Sequence, residues 1–176
     1  MVALLGVACS NATQRSAFAP CTPEGFTSPG EPLPDCTFEG FPGQSPLRLT
    51  KLRGRPVVLN FWGSWCIACL SELPAMQKVS RELAGRVTFV GVDPIGIQGE
   101  TKGAGENFAA RAGITYRLAF DPGGLLLAHF VATVLRPTMP VTVFVNSKGV
   151  VVERHFGGPL SERDLRGFIA QYLGVH

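Results

Sequence analysis

The run Val57-Val58-Leu59-Asn60-Phe61-Trp62-Gly63-Ser64-Trp65-Cys66-Ile67-Ala68-Cys69 decides how this chain folds. Its first half is a near-continuous apolar stretch, the pattern of a central strand covered on both faces. From Cys66 to about Leu83, the residues Leu70, Leu73, Met76, Val79 and Leu83 recur at three- and four-residue intervals, which predicts an amphipathic helix. Pro74 falls inside it and is expected to kink it, because its ring nitrogen cannot donate to the carbonyl four residues back. A strand emptying into a helix start therefore carries two cysteines, Cys66 and Cys69, spaced C-x-x-C.

Thiol–disulfide exchange needs one accessible thiolate to attack and a second thiol close enough to resolve the mixed disulfide. Residues three apart on a helix share a face, so Cys69 lies within disulfide reach of Cys66. Unsatisfied N–H groups and the positive end of the helix dipole favour a thiolate at Cys66. Cys66 is expected to attack and Cys69, one turn deeper, to resolve. The same spacing makes half of a zinc site, but that reading needs a second Cys/His pair at ligand spacing. His129, His155 and His176 are scattered and no second C-x-x-C exists, so no metal site and no cofactor is expected.

Outward from this run, Val87 to Asp93 reads as a second apolar strand, completing a strand–helix–strand crossover that implies parallel pairing. Leu47-Arg48-Leu49 reads as a short strand ahead of it, and residues 94 to 104 as a surface loop. A helix from about Glu106 to Ala112, a strand from Arg117 to Phe120 and a helix from about Gly123 to Val131 follow. Thr142–Val145 and Val150–Arg154, separated by Asn146-Ser147-Lys148-Gly149, read as a hairpin. The last helix, Ser161 to Leu173, opens on Ser161 as N-cap. This order predicts an α/β fold: a central mixed β-sheet flanked by helices on both faces, with an N-terminal extension.

The chain has 176 residues, 45% hydrophobic and 16% charged, enough to bury a good core. Its formal charge of +3 is dispersed, with no basic run or stripe to track a phosphate backbone, so no nucleic acid is expected as a partner. Residues 1–9 resemble the end of a secretory signal, and a small residue before Cys9 suggests a bacterial lipoprotein site, although Gly6 stands where a large aliphatic is usual. An uncleaved apolar tail is the alternative. Residues 10–34, with Pro20, Pro23, Pro29, Pro32 and Pro34, read as a linker, and 35–176 as the domain. In an exported protein the remaining couple, Cys21 and Cys36, invites a structural disulfide; two free thiols are the alternative.

Residues 33 to 174 resemble the thioredoxin superfamily and, more narrowly, its extracytoplasmic, membrane-tethered thiol–disulfide oxidoreductases of the TlpA and ResA type, related to the alkyl hydroperoxide reductase and thiol-specific antioxidant (AhpC/TSA) group. Asn60 to Cys69 is similar to the family's N-F-W-A-x-W-C-x-x-C, Glu72-Leu73-Pro74 to its E-x-P, and Pro140 to Gly149 to its P-T-T-F-x-I-D-x-x-G. The resemblance implies a thioredoxin-like fold, with Pro140 as the cis-proline facing the dithiol and Met139 pairing through its backbone with the substrate strand. Pro137 is the competing proline, at the wrong distance from Asn146. Trp65 is expected to shape the rim of the site. Glu72 stands three residues past Cys69, where a carboxylate could take or return the buried thiol's proton; an exposed glutamate favoured by the helix dipole is the alternative.

The resemblance further implies an enzyme that reduces disulfides of exported proteins, as in cytochrome c or copper-site maturation. A membrane-bound thiol–disulfide partner would exchange electrons with it, and the chain is expected to work as a monomer. Ile67-Ala68 departs from the family's usual proline before the second cysteine, and that dipeptide tunes the potential. An oxidant that forms disulfides is therefore one alternative reading. A Cu(I) chaperone using the two soft thiolates is another. A peroxidase ranks last, because Gly63 stands where a threonine would be needed.

Overall fold

The computed structural model describes residues 21–22, 25–132 and 138–176. The leader with Cys9, the first part of the linker and Pro137 lie outside the described residues. A two-stranded ribbon, β1 (Thr37–Phe38) against β2 (Leu47–Arg48), precedes the central elements. These are β3 (Val57–Phe61), α1 (Ile67–Glu82), β4 (Thr88–Asp93), α2 (Lys102–Arg111), β5 (Arg117–Phe120), α3 (Leu125–Val131), β6 (Val141–Val145), β7 (Val151–Phe156) and α4 (Glu162–Phe168), which continues into a wider final turn, Ile169–Leu173. The five-stranded sheet runs β5-β4-β3-β6-β7, with β3–β4 and β4–β5 parallel and β3–β6 and β6–β7 antiparallel. The architecture is the thioredoxin-like mixed sheet covered on both faces.

Side chains alternate across each strand and so divide the core in two. Val57, Leu59 and Phe61 of β3 join Val90, Val92, Val141, Val143 and Val145 on one face, where Leu126 and Phe130 of α3 cover them. Val58, Phe89 and Phe144 point the other way and meet Met76 and Val79 of α1 and Leu165 of α4. The cross-strand register Gly91–Asn60–Thr142 sets one small and polar rung into this second face.

Helix α1 runs as one element through Pro74, which is exposed, on a flank where water can take the place of the missing N–H. Its buried stripe holds Cys69, Leu73, Met76 and Val79. Leu70, expected on that stripe from its spacing, is instead 50% exposed, and Ile67 is 87% exposed on the same flank. Helix α2 begins four residues earlier than the pattern suggested, at Lys102, with the Thr101 hydroxyl accepting from the Ala104 N–H (3.2 Å). Gly103 and Gly105, poor helix formers, had masked that start. Ser161 caps α4, accepting from the Asp164 N–H (3.2 Å).

Residues 25–34, read from sequence as the end of a linker, lie along the domain. The Gly30 and Leu33 N–H groups donate to Val151 and Gly149 carbonyls (2.8 and 2.9 Å), and the Val151 N–H donates back to Glu31 (2.9 Å). This strap covers part of the outer edge of β7 and so satisfies backbone groups that an edge strand would leave open. Cys21 and Cys36 are joined by a disulfide, Cα atoms 4.9 Å apart, buried in the same apolar cluster as Leu33, Phe38 and Leu49.

The Cys21–Cys36 bridge closes a loop with a sequence separation of 15. The double variant Cys21→Ala/Cys36→Ala is expected to lose about 3 kcal/mol, the chain-entropy value for a loop of this size. Urea denaturation measures it, and an unchanged midpoint would contradict the bridge's contribution.

Candidate active site

Strand β3, central in the sheet, ends at the rim formed by the C-terminal ends of β3 and β4, and the chain turns there before α1 begins. The Trp62 N–H still pairs with the Val92 carbonyl (3.2 Å), and the Cys66 N–H closes a turn onto the Gly63 carbonyl (3.0 Å). Cys66 is the N-cap of α1, and its Sγ accepts from the Cys69 N–H at 3.0 Å. A sulfur placed on a helix's first free amides is stabilised as an anion by those N–H groups and by the dipole. Cys66 and Cys69 form a disulfide with Cα atoms 5.2 Å apart, and Cys66 retains 5% of its surface while Cys69 has none.

The Met139–Pro140 segment packs beside this turn. Pro140 is buried, and the Met139–Pro140 peptide bond is cis. Met139, half-buried, packs against the cluster that contains Cys66 and Cys69, as does Trp65. Between Trp65, Met139, Ile97, Gln98, Leu127 and Val141 runs a groove of about 130 Å³. It is lined mainly by apolar side chains.

Glu72 is 1% exposed, which excludes the reading of an exposed residue favoured only by the dipole. Its Oε1 accepts from Asn60 Nδ2 (2.6 Å), which also donates to Thr142 Oγ1 (3.2 Å), and its Oε2 accepts from the Leu160 N–H (2.7 Å). Burial pushes its pKa up to about 7, with the Leu160 and Asn60 hydrogen bonds pulling the other way. A carboxyl poised there both takes and returns a proton at neutral pH.

A second set of buried carboxyls lies at the same rim of the sheet. Asp93 ends β4, and burial, then the charges of Glu100 and Asp121, raise its pKa to about 8. Helix α2 passes so close that a Cβ at Gly105 would fall 1.9 Å from Asp93 Oδ2, so only glycine fits there. Asp121 accepts from the Leu126 and Leu127 N–H groups (3.0 and 2.9 Å) at the start of α3, and burial raises its pKa to about 6. Glu100 accepts from Ser64 just ahead of the dithiol. Among the described residues, no three His, Cys, Asp or Glu are grouped to hold a metal ion.

Sequence reasoning did not single out Asn60, Asp93, Glu100 or Asp121. Asn60 carried a signal: a lone amide inside an apolar run, on the face shared by Val58 and Trp62 that α1 covers. Asp93 and Asp121 each end a strand, which ordinary strand-to-loop transitions also produce. Glu100 lies in a loop whose path no local pattern gives.

The sequence pattern of the AhpC/TSA family matches residues 29–154. The thiol-disulfide oxidoreductase ResA of Halalkalibacterium halodurans is 33% identical over 130 residues, covering 73% of this chain and 69% of that protein. A secreted Mycobacterium tuberculosis disulfide oxidoreductase homologous to E. coli DsbE superposes with a TM-score of 0.65 at 26% identity, covering 78% of this chain and 96% of that one. An exposed lipoprotein thioredoxin from Streptococcus pneumoniae gives 0.62 at 26%, covering 77% and 97%.

Glu72, Asp93 and Asp121 keep their protons in the folded chain at pH values where carboxyls of an unfolded chain, titrating near 4, have lost theirs. Their contribution to stability is therefore fully present below about pH 4 and is lost as pH rises through about 6, 7 and 8 in turn. Glu72→Gln removes one of the three, so its unfolding free energy is expected to fall less between pH 5 and 8 than the parent's. Urea denaturation across that range tests this, and identical pH slopes would contradict it.

Proposed function

Since this chain belongs to the AhpC/TSA family and is a thiol–disulfide oxidoreductase of the ResA type, we propose that it runs as a reductase of disulfides in exported proteins. The observation that carries this reading is the placement of Cys66 Sγ on the Cys69 N–H at the start of α1. In the reduced enzyme the Cys66 thiolate attacks one sulfur of a substrate disulfide. That bond breaks, the departing substrate sulfur takes a proton, and a mixed disulfide forms at Cys66. The Cys69 thiol then passes its proton to Glu72 and attacks Cys66 Sγ. The second substrate sulfur leaves, and the enzyme ends as the Cys66–Cys69 disulfide, having given two electrons.

Trp65 and Met139 frame the groove that receives the substrate strand, with Pro140 fixing the Met139 backbone toward the dithiol. The direction of flow follows from what stabilises the thiolate. Ile67 and Ala68 bring no side-chain donor, which leaves the helix terminus alone to lower the Cys66 pKa, and a modest stabilisation of the reduced form keeps the couple reducing. Export is supported by the apolar start with Cys9 and by relatives described as secreted and as an exposed lipoprotein. In this reading the chain is anchored through Cys9 and is recharged by a membrane-bound thiol–disulfide partner. Its substrates would be proteins of cytochrome c or copper-site assembly.

Cys66→Ser is expected to abolish exchange, while Cys69→Ser accumulates covalent mixed disulfides, recovered from the native host by non-reducing electrophoresis and mass spectrometry. Equal trapping by both variants would overturn the assignment, and trapped partners confined to the cytoplasm would overturn the export reading. Glu72→Gln is expected to slow the resolving step by about 10²-fold near pH 7 and to remove an inflection near pH 7 from its rate profile. An unchanged profile would return Glu72 to a structural part.

A further inference from the structure

We infer that Glu100 is a positioning residue for thiol exchange, its carboxylate holding the turn that delivers Cys66 to the start of α1. The inference rests on the dithiol chemistry proposed above and adds a residue outside the family motifs. One oxygen, Oε2, accepts both the Ser64 N–H (2.7 Å) and the Ser64 Oγ–H (2.9 Å). Ser64 is the second residue of the turn that Cys66 N–H closes onto the Gly63 carbonyl. In such a turn the second residue's N–H has no acceptor within the turn, and here it has left the strand without entering the helix. Glu100 supplies the missing acceptor, from 36 residues away in sequence.

The carboxylate is itself held in place. The Glu100 backbone closes the 94–100 loop, its N–H donating to the Ile97 carbonyl (2.9 Å) and its carbonyl accepting from the Gly96 N–H (2.9 Å). Glu100 is 3% exposed. Gly63 leaves room for it: a Cβ there would lie 3.2 Å from Glu100 Oε2 and 2.7 Å from Trp65 Nε1. Both groups thus sit against the face of Gly63 where a Cβ would stand, so any larger residue there would push on the carboxylate that holds the turn. Among the described residues the other oxygen, Oε1, is buried with no hydrogen-bond partner, and neither carboxyl oxygen of Asp93 has one. A fold that needed only a filled space would be better served by an apolar side chain, because a buried polar atom left unpaired costs stability. The contact with Ser64 is what the carboxylate contributes.

Glu100→Gln keeps an oxygen that accepts from Ser64 and loses the charge; Glu100→Ala loses the contact. Each is compared with the parent for the alkylation rate of reduced Cys66, for exchange with hydroxyethyl disulfide, and for thermal unfolding by circular dichroism. The Ala variant is expected to slow both reactions roughly tenfold per folded molecule, as for a reacting group displaced by a fraction of an ångström. The Gln variant is expected to stay within about threefold of the parent. Ala rates equal to the parent's, or Gln falling as far as Ala, would overturn the inference. If the Ala variant does not fold, Glu100→Asp, whose shorter side chain draws the carboxylate back from both Ser64 donors, decides: a slowed reaction supports the clamp and an unchanged one overturns it. An inert parent would instead refute the dithiol reading, so the two failures are distinguishable.

Discussion

Strand β3 is buried on both faces and flanked by β4 and β6, and a chain in that position can leave only past the end of the strand. That constraint places everything else. Val57, Leu59 and Phe61 are committed to the core beneath α3, and Val58 and Trp62 to the core on the other face, so no residue of the strand is free to bend outward before Gly63. The turn therefore falls at 63–66, and α1 has to start at Cys66 to lay Leu73, Met76 and Val79 back over the sheet. Cys66 stands at a helix N-terminus because the core on either side of β3 leaves the helix no other place to begin.

The polar rung Gly91–Asn60–Thr142 is the exception inside that apolar strand, and Glu72 gives it a reason. One carboxylate joins β3 through Asn60, β6 through Asn60's second bond to Thr142, and the chain entering α4 through the Leu160 N–H. It has hydrogen bonds enough to be tolerated in the core, yet burial outweighs them and lifts its pKa to about 7. The surroundings that make Glu72 costly as an anion are those that let it exchange a proton near neutral pH. The same balance recurs at Asp121, where the amides of α3 offset burial in part, and fails at Asp93, whose carboxyl has no hydrogen-bond partner among the described residues and holds its proton most tightly of the three.

What the sequence made legible follows the range of the forces involved. The strand–helix–strand unit, the hairpin at Asn146–Gly149 and the Ser161 cap are local, written in apolar period and turn residues, and each lies within a residue or two of its expected place. Leu70 was misplaced because spacing alone does not distinguish the two flanks of an apolar stripe; with Ile67 it lies on the flank that faces solvent. The start of α2 was hidden because Gly105 answers to the close approach of Asp93 rather than to helix propensity. Cys66, Cys69 and Glu72 stand three apart on one helix and could be read together. Glu100 could not, since its contact with Ser64 joins segments that only the rim of the folded sheet brings near.

The central claim is that Cys66 and Cys69 form a reversible two-electron couple whose thiolate is supported by a helix terminus and little else. Equilibration of the protein against a series of dithiothreitol or glutathione redox buffers at pH 7, with the two cysteines counted by alkylation and mass, measures that couple directly. The account predicts a single two-electron transition on the reducing side, nearer the thioredoxin value of about −270 mV than the strong-oxidant value of about −120 mV. A transition near the oxidant end would contradict the reductase, and no transition at all would contradict the dithiol site itself.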